Sequence, residues 1–232
     1  MAQPPDINQT FVREVDENLR RDKARDFVRE NGKWLVAAVI LFLAICGAII
    51  YWQYHREQQA EKQVEQLAEI YRDIGSGNVT KAPQQLDELS NSGSKAVRAS
   101  ALFTRAALAL QQNDAKLATE KYRQIAADDG LPPAYRDAAL VRQTALEFDR
   151  LKPEDVIARL EPLTKPGNPW FGSAGEMTAV ALLKQGKTAQ AGRLFAAMAK
   201  DTTVPQSIKS RSVQIAGSLG VDASSATETQ AR

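Results

Sequence analysis

One cysteine and one histidine occur among the 232 residues, and this scarcity removes whole classes of function. Cys46 lies within an apolar run, so an intrachain disulfide and a multi-cysteine zinc site are both excluded. His55 stands alone, which rules out histidine pairs and histidine-rich metal sites. Also missing are a Gly-x-Ser-x-Gly elbow, a phosphate-binding glycine loop and an HExxH helix. Serines such as Ser94 and Ser100 have no histidine but His55 to activate them. The expectation is a protein that is not an enzyme, with no catalytic residue, no cofactor and no metal. Aromatics make up only 6% and β-branched runs are short, whereas alanine is abundant. That balance favours helices and an all-α fold. The formal charge is +2, and the lysines and arginines are not gathered on one face, so nucleic acid is not an expected partner.

Charge is entirely absent from one stretch. From Trp34 to Tyr54 the chain reads WLVAAVILFLAICGAIIYWQY. At 1.5 Å per residue this makes ~31 Å of helix, about the thickness of a bilayer core. Trp34 at one end and Tyr51, Trp52 and Tyr54 at the other have the character of membrane-interface anchors. Charged sequence precedes the run and HREQQAEKQ follows it, which fits an uncleaved anchor better than a cleaved signal peptide. Residues 19–33 carry Arg20, Arg21, Lys23, Arg25, Arg29 and Lys33, whereas residues 55–69 carry only Arg56 and Lys62. The positive-inside bias then places the N-terminus in the cytoplasm and the C-terminal domain outside, in a bacterium the periplasm. Ala44 and Ala48 form a small-xxx-small pair of the kind that seats another helix, and a homo-oligomer stays open.

The expected organisation has four parts. Residues 1–33 form a cytoplasmic arm in which Phe11, Val15 and Leu19 make an amphipathic stripe, with Phe27 and Val28 beyond. Residues 34–54 are the transmembrane helix, 55–220 an outer helical domain, and 221–232 a small, polar, disordered tail. The outer domain opens with a helix carrying Val64, Leu67, Ile70, Tyr71 and Ile74 on one face and ending at the GSGN of residues 75–78.

Internal repeats follow. Residues 96–128 and 173–201 both read as two helices around a polar turn, at Asn113–Asp114 and Gly186. Laid over one another, Leu110 matches Leu183, Ala118 matches Ala191, and Tyr122 matches Phe195, an offset of 73 residues. The series Leu86, Tyr122, Leu160, Phe195 advances by 36, 38 and 35 residues. A helix-turn-helix of ~34 residues, with a small residue four before an aromatic or Leu in the second helix, is the tetratricopeptide pattern. The small side chain lets paired helices approach; the large one fills the gap towards the neighbouring pair. Ala106 and Ala179 fit the small position of the first helix, whereas Arg105 and Gly175 depart from the usual bulky apolar residue. The repeats are therefore degenerate. Residues 204–220 supply a final capping helix.

Such arrays present a concave surface built from their first helices. On this frame Phe103, Leu110, Val141, Phe148, Glu176 and Lys184 are the candidate partner-binding residues, against a reading of the aromatic ones as core.

The stretches FVRENGKWLVAAVILFLAICGAIIYWQYH and GNPWFGSAGEMTAVALLKQGKTAQAGRLF, with the hairpins between them, resemble the YfgM-type family of ancillary subunits of the bacterial SecYEG translocon. The resemblance covers residues from about 10 to 220, with Asn31-Gly32-Lys33 its more specific motif. It implies a single-span inner-membrane protein with a periplasmic domain. It also implies association with the translocon and with a membrane-anchored periplasmic prolyl-isomerase-like chaperone, in the service of newly exported proteins. The arm is longer than the enterobacterial members would have. Two other readings stand beside it: a scaffold for another cell-envelope assembly, and a cytoplasmic adaptor if the orientation is reversed.

Overall fold

The computed structural model describes the backbone of residues 7–222 and the side chains of residues 33–34 and 36–222. The helices are α1 (Ile7–Gly75), α2 (Ala82–Leu89), α3 (Lys95–Gln111), α4 (Ala115–Ala127) and α5 (Pro133–Glu147). After them come α6 (Pro153–Leu160), a 3₁₀ turn (Glu161–Leu163), α7 (Phe171–Lys184), α8 (Thr188–Lys200) and α9 (Gln206–Ser218). Among the described residues there is no strand, and the fold is all-α. The chain divides into two compact units, residues 1–59 and 60–232.

In the first unit, α1 contains a segment long and apolar enough to cross a membrane, with a mean hydropathy of 2.2 and none of it buried. Ile40, Leu41, Phe42, Leu43 and Ile50 are all exposed. So are Trp34, Tyr51, Trp52 and Tyr54 at the ends of the run. Past the run, side chains pair along the helix at i,i+4: Tyr51 stacks on His55 with ring centroids 6.4 Å apart, and the Arg56 guanidinium sits 4.7 Å over Trp52. The arm's stripe, Phe11, Val15, Leu19, Phe27 and Val28, lies outside the residues whose side chains are described.

The second unit is a stack of helix pairs. In all four pairs the two positions that define the repeat are buried: Ala82 and Leu86, Ala118 and Tyr122, Val156 and Leu160, Ala191 and Phe195. Ala106 and Ala179, the small positions of two first helices, are wholly inaccessible. Ile70 and Thr144 take the corresponding places in the other pairs and are buried too. The first pair is thus made from the last turns of α1 with α2. Leu67 and Ile70 pack there against Ala82, Leu86, Leu89, Val97 and Ala101. In the third pair Thr144 and Val156 stand where the second and fourth pairs have alanines, and both are buried.

The turns repeat as well. Asn113 has φ 61° and Gly186 φ 72°, the left-handed conformation that ends a helix with a 6→1 hydrogen bond. That bond is present at both, from Asp114 N–H to the Ala109 carbonyl at 2.8 Å and from Lys187 N–H to the Leu182 carbonyl at 2.9 Å. Gly77 and Gly220 close α1 and α9 in the same way. By this criterion α9 is a first helix without a second, which makes it the cap. Gly220 turns the chain back so that Val221 packs against α8, where a Cβ on Gly192 would lie 2.7 Å from the Val221 Cγ2. Residues 223–232, nearly all of the expected disordered tail, lie outside the described part.

Several other expectations are corrected. Val64 and Tyr71 are exposed, at 55% and 45%, because their face of α1 points away from the core that takes Leu67 and Ile70. Gly175 is buried because the fully buried Met198 crosses over it, and a Cβ there would lie 2.5 Å from the Met198 sulfur. Arg105 departs from the repeat pattern because it serves a charge bridge. The Asp87 carboxylate on α2 accepts from Arg105 Nε on α3 at 3.3 Å and from Lys121 Nζ on α4 at 2.8 Å.

A second bridge joins α4, α5 and α6. Glu147, only 16% exposed, accepts from Arg123 at 3.1 Å, from Arg159, and from the Gln143 amide at 3.1 Å. Burial, the largest single effect, pushes the Glu147 carboxyl up. The bonds from Arg159, Gln143 and Arg123 together outweigh it and hold the group below the ordinary glutamate value of 4.5. Since the folded value is depressed, the stabilisation is complete above the unfolded value and is lost as pH falls through the folded one. Acid melts of the wild type should show stability declining below a pH of about 4.5. Glu147→Gln should cost about 2 kcal/mol at neutral pH and flatten that decline. A variant as acid-sensitive as the wild type would show that Glu147 does not carry it.

Candidate functional site

The first helices of successive pairs, α1 (from residue 60), α3, α5, α7 and α9, present a row of side chains on one face. Each helix touches the next through a polar or aromatic contact about one repeat apart. The Thr104 hydroxyl on α3 donates to Tyr71 Oη on α1 at 3.2 Å. On α5, the Arg142 guanidinium lies 5.2 Å over the Phe103 ring, which itself tilts against Tyr122 at 5.9 Å. From α7, Lys184 Nζ sits 4.5 Å over the Phe148 ring and 3.8 Å from the Asp149 carboxylate, both in the turn that follows α5. Last in the row, the Arg211 guanidinium of α9 grips the Glu176 carboxylate with two bonds, at 2.6 and 2.8 Å. That fork raises Arg211 above its ordinary value and fixes the cap in register on the array.

Five of the six sequence-chosen residues fall in or beside this row. Phe103 and Phe148 are half-buried, with one side in the core clusters and the other under the cations. Leu110 is partly buried against the cluster of Leu102, Ala106 and Tyr122. Glu176 is half-buried and Lys184 exposed. Val141 is the exception. It is buried among Val156, Leu160 and Leu163, because α6 and α7 close over its side of α5, and it offers nothing to a partner. Near the row Val180 on α7 is 37% exposed, an apolar side chain between the charged ones.

Sequence reasoning did not find Tyr71, Thr104, Arg142, Asp149 and Arg211. A signal was present: each stands about one repeat from the residue it meets, on the adjacent first helix. Reading pairs across repeats, instead of positions within one, would have found them. Chemically the row offers aromatic faces already covered by cations, carboxylates and half-exposed aliphatic groups. Among the described residues there is no group of three or more His, Cys, Asp or Glu side chains able to hold a metal ion. Such a surface suits a polypeptide, with apolar contacts for affinity and charges for orientation.

Comparison with known proteins gives one result. Residues 25–215 match the model of a family described as a tetratricopeptide repeat-like domain. No curated protein and no solved structure shows a significant match to the chain.

Proposed function

The chain belongs to the tetratricopeptide repeat-like domain family, and on that premise we propose that it is a membrane-anchored protein-interaction module. The observation that carries this reading is the row on the first helices, where neighbours are stitched together while Phe103, Phe148, Val180 and Lys184 keep accessible surface. A rigid face of that kind binds at low entropic cost, since its side chains are already held. The uncharged run of α1 is the anchor. Six basic residues before it against two after it orient the domain towards the periplasm. In the bacterial inner membrane the resemblance of the anchor and the last hairpin supplies the partners: the SecYEG channel and a membrane-anchored prolyl-isomerase-like chaperone acting on newly exported chains.

The test is in-cell cross-linking of the full-length protein, followed by purification in mild detergent and mass spectrometry. Recovery of the channel and a periplasmic prolyl isomerase is the expected result. A Phe148→Ala/Lys184→Glu variant should lose them several-fold while keeping its helical circular dichroism. Recovery of a different envelope complex would turn the reading into the scaffold alternative. A C-terminal reporter active only in the cytoplasm would overturn the orientation.

A further inference from the structure

Away from the first-helix row, α4 and the end of α5 enclose a cleft of about 510 Å³, lined by Lys116, Thr119, Glu120, Arg123, Glu147, Arg150 and Leu151. Its α4 wall is one face of that helix, since Lys116, Thr119, Glu120 and Arg123 recur at helical spacing. The other wall is the turn that leaves α5. Three cations line it, and they are not equally engaged. Arg123 bonds Glu147 through Nη2. Among the described residues neither Lys116 nor Arg150 makes an ion pair, and both are exposed. The Glu147 carboxylate makes its bonds elsewhere, Oε1 accepting from Arg123 and Oε2 from Arg159 and Gln143. Glu120 turns instead to the Gln124 amide at 3.4 Å. The lining thus carries three cations against two carboxylates, and neither Lys116 nor Arg150 is used by the fold's ion pairs or by the row.

We propose that this cleft is a second docking site, for an acidic polypeptide segment of a partner protein. The pattern of charge selects that ligand. The wall carboxylates Glu120 and Glu147 repel a compact, multiply charged phosphate or a densely anionic membrane surface. They suit a chain whose single negative charges are spaced along it, since its backbone N–H groups can donate to a wall carboxylate while its side chains reach Lys116, Arg123 and Arg150. Leu151 and the stems of the long cations supply apolar wall for the intervening residues. The site differs from the first-helix row in both position and chemistry, and each can fail without the other.

Full-length protein in nanodiscs of zwitterionic lipid is titrated with a fluorescein-labelled peptide of alternating Glu and Ser, and with its Lys/Ser counterpart. Fluorescence anisotropy should show binding of the acidic peptide alone, weakening steeply as salt rises. Lys116→Glu/Arg150→Glu should weaken it roughly tenfold or more. Those two side chains lie outside the Glu147 network, so the thermal midpoint should hold and the loss cannot be ascribed to unfolding. A matched charge reversal elsewhere, Lys81→Glu/Lys200→Glu, should leave binding near the wild-type value. Equal loss from both double variants would reduce the effect to net charge and overturn the proposal. So would absence of acidic-peptide binding, or binding of inorganic phosphate or anionic vesicles in its place through the same two side chains.

Discussion

Phe195→Ala should destabilise the helical domain by about 3–5 kcal/mol and lower its thermal midpoint by about 10 °C. Phe195 is 1% exposed and sits at the centre of the last core cluster, against Phe171, Ala179, Leu182, Ala191, Met198 and Ala216. Those neighbours belong to α7, α8 and α9, so the cavity left by the ring opens where three helices meet. A loss of this size is a large share of the ~5–15 kcal/mol that holds a domain of ordinary stability. Where it falls is as informative as how large it is. The cores run along the array as overlapping clusters, each shared by adjacent pairs, and Phe195 belongs only to the last. In a stack held by nearest-neighbour contacts the effect stays local. Hydrogen exchange of the full-length protein in detergent should therefore speed up over residues 171–219, while α3 and α4 keep most of their protection. Leu110→Ala, at a partly buried position, should cost less than half as much. Uniform loss of protection across all pairs would sink the array picture in favour of one undivided core.

Leu43→Arg should abolish most of the membrane integration that the proposed anchor provides. Leu43 lies near the middle of the uncharged run and is 62% exposed, with no protein side chain over it to shelter a charge. A central arginine costs roughly 2.5–3.5 kcal/mol on the insertion scale, on the order of a hundredfold in partition. The fraction of protein that resists alkaline carbonate extraction measures it. Gln53→Arg makes the comparison, because a long cation close to the end of the run can snorkel to the headgroups and should have little effect. If the two variants were retained equally, the run would not be the spanning element. The experiment needs no knowledge of the partner, and it separates the anchoring reading from the translocon reading.

How much of this was legible beforehand follows from how far each feature reaches along the chain. The uncharged run could be read directly, because a candidate membrane span asks only for consecutive apolar residues. The pairs Ala118–Tyr122 and Ala191–Phe195 were legible because both members lie on one helix, four residues apart, and recur at the repeat. The shared turn at Asn113 and Gly186 was visible as a break, though not as one backbone conformation, since asparagine and glycine look unlike in sequence and both tolerate positive φ. Placement across helices was less legible. Val64 and Tyr71 share an apolar stripe with Leu67 and Ile70, yet the first two face out and the last two face in. Val141 occupies the repeat position of a surface residue, and α6 and α7 cover it.

The sequence by itself determined the apolar run, the helical class, the repeat and its cap, because each is a local periodicity that the backbone geometry converts into structure. Only the tertiary structure decided which face of each helix was covered, that Asp87 and Glu147 would each bridge three helices, and that Lys116 and Arg150 would line one cleft. Those outcomes depend on the angle and distance at which a helix from the next repeat arrives. That is set by the summed volumes of many buried side chains, and no single spacing along the chain records it.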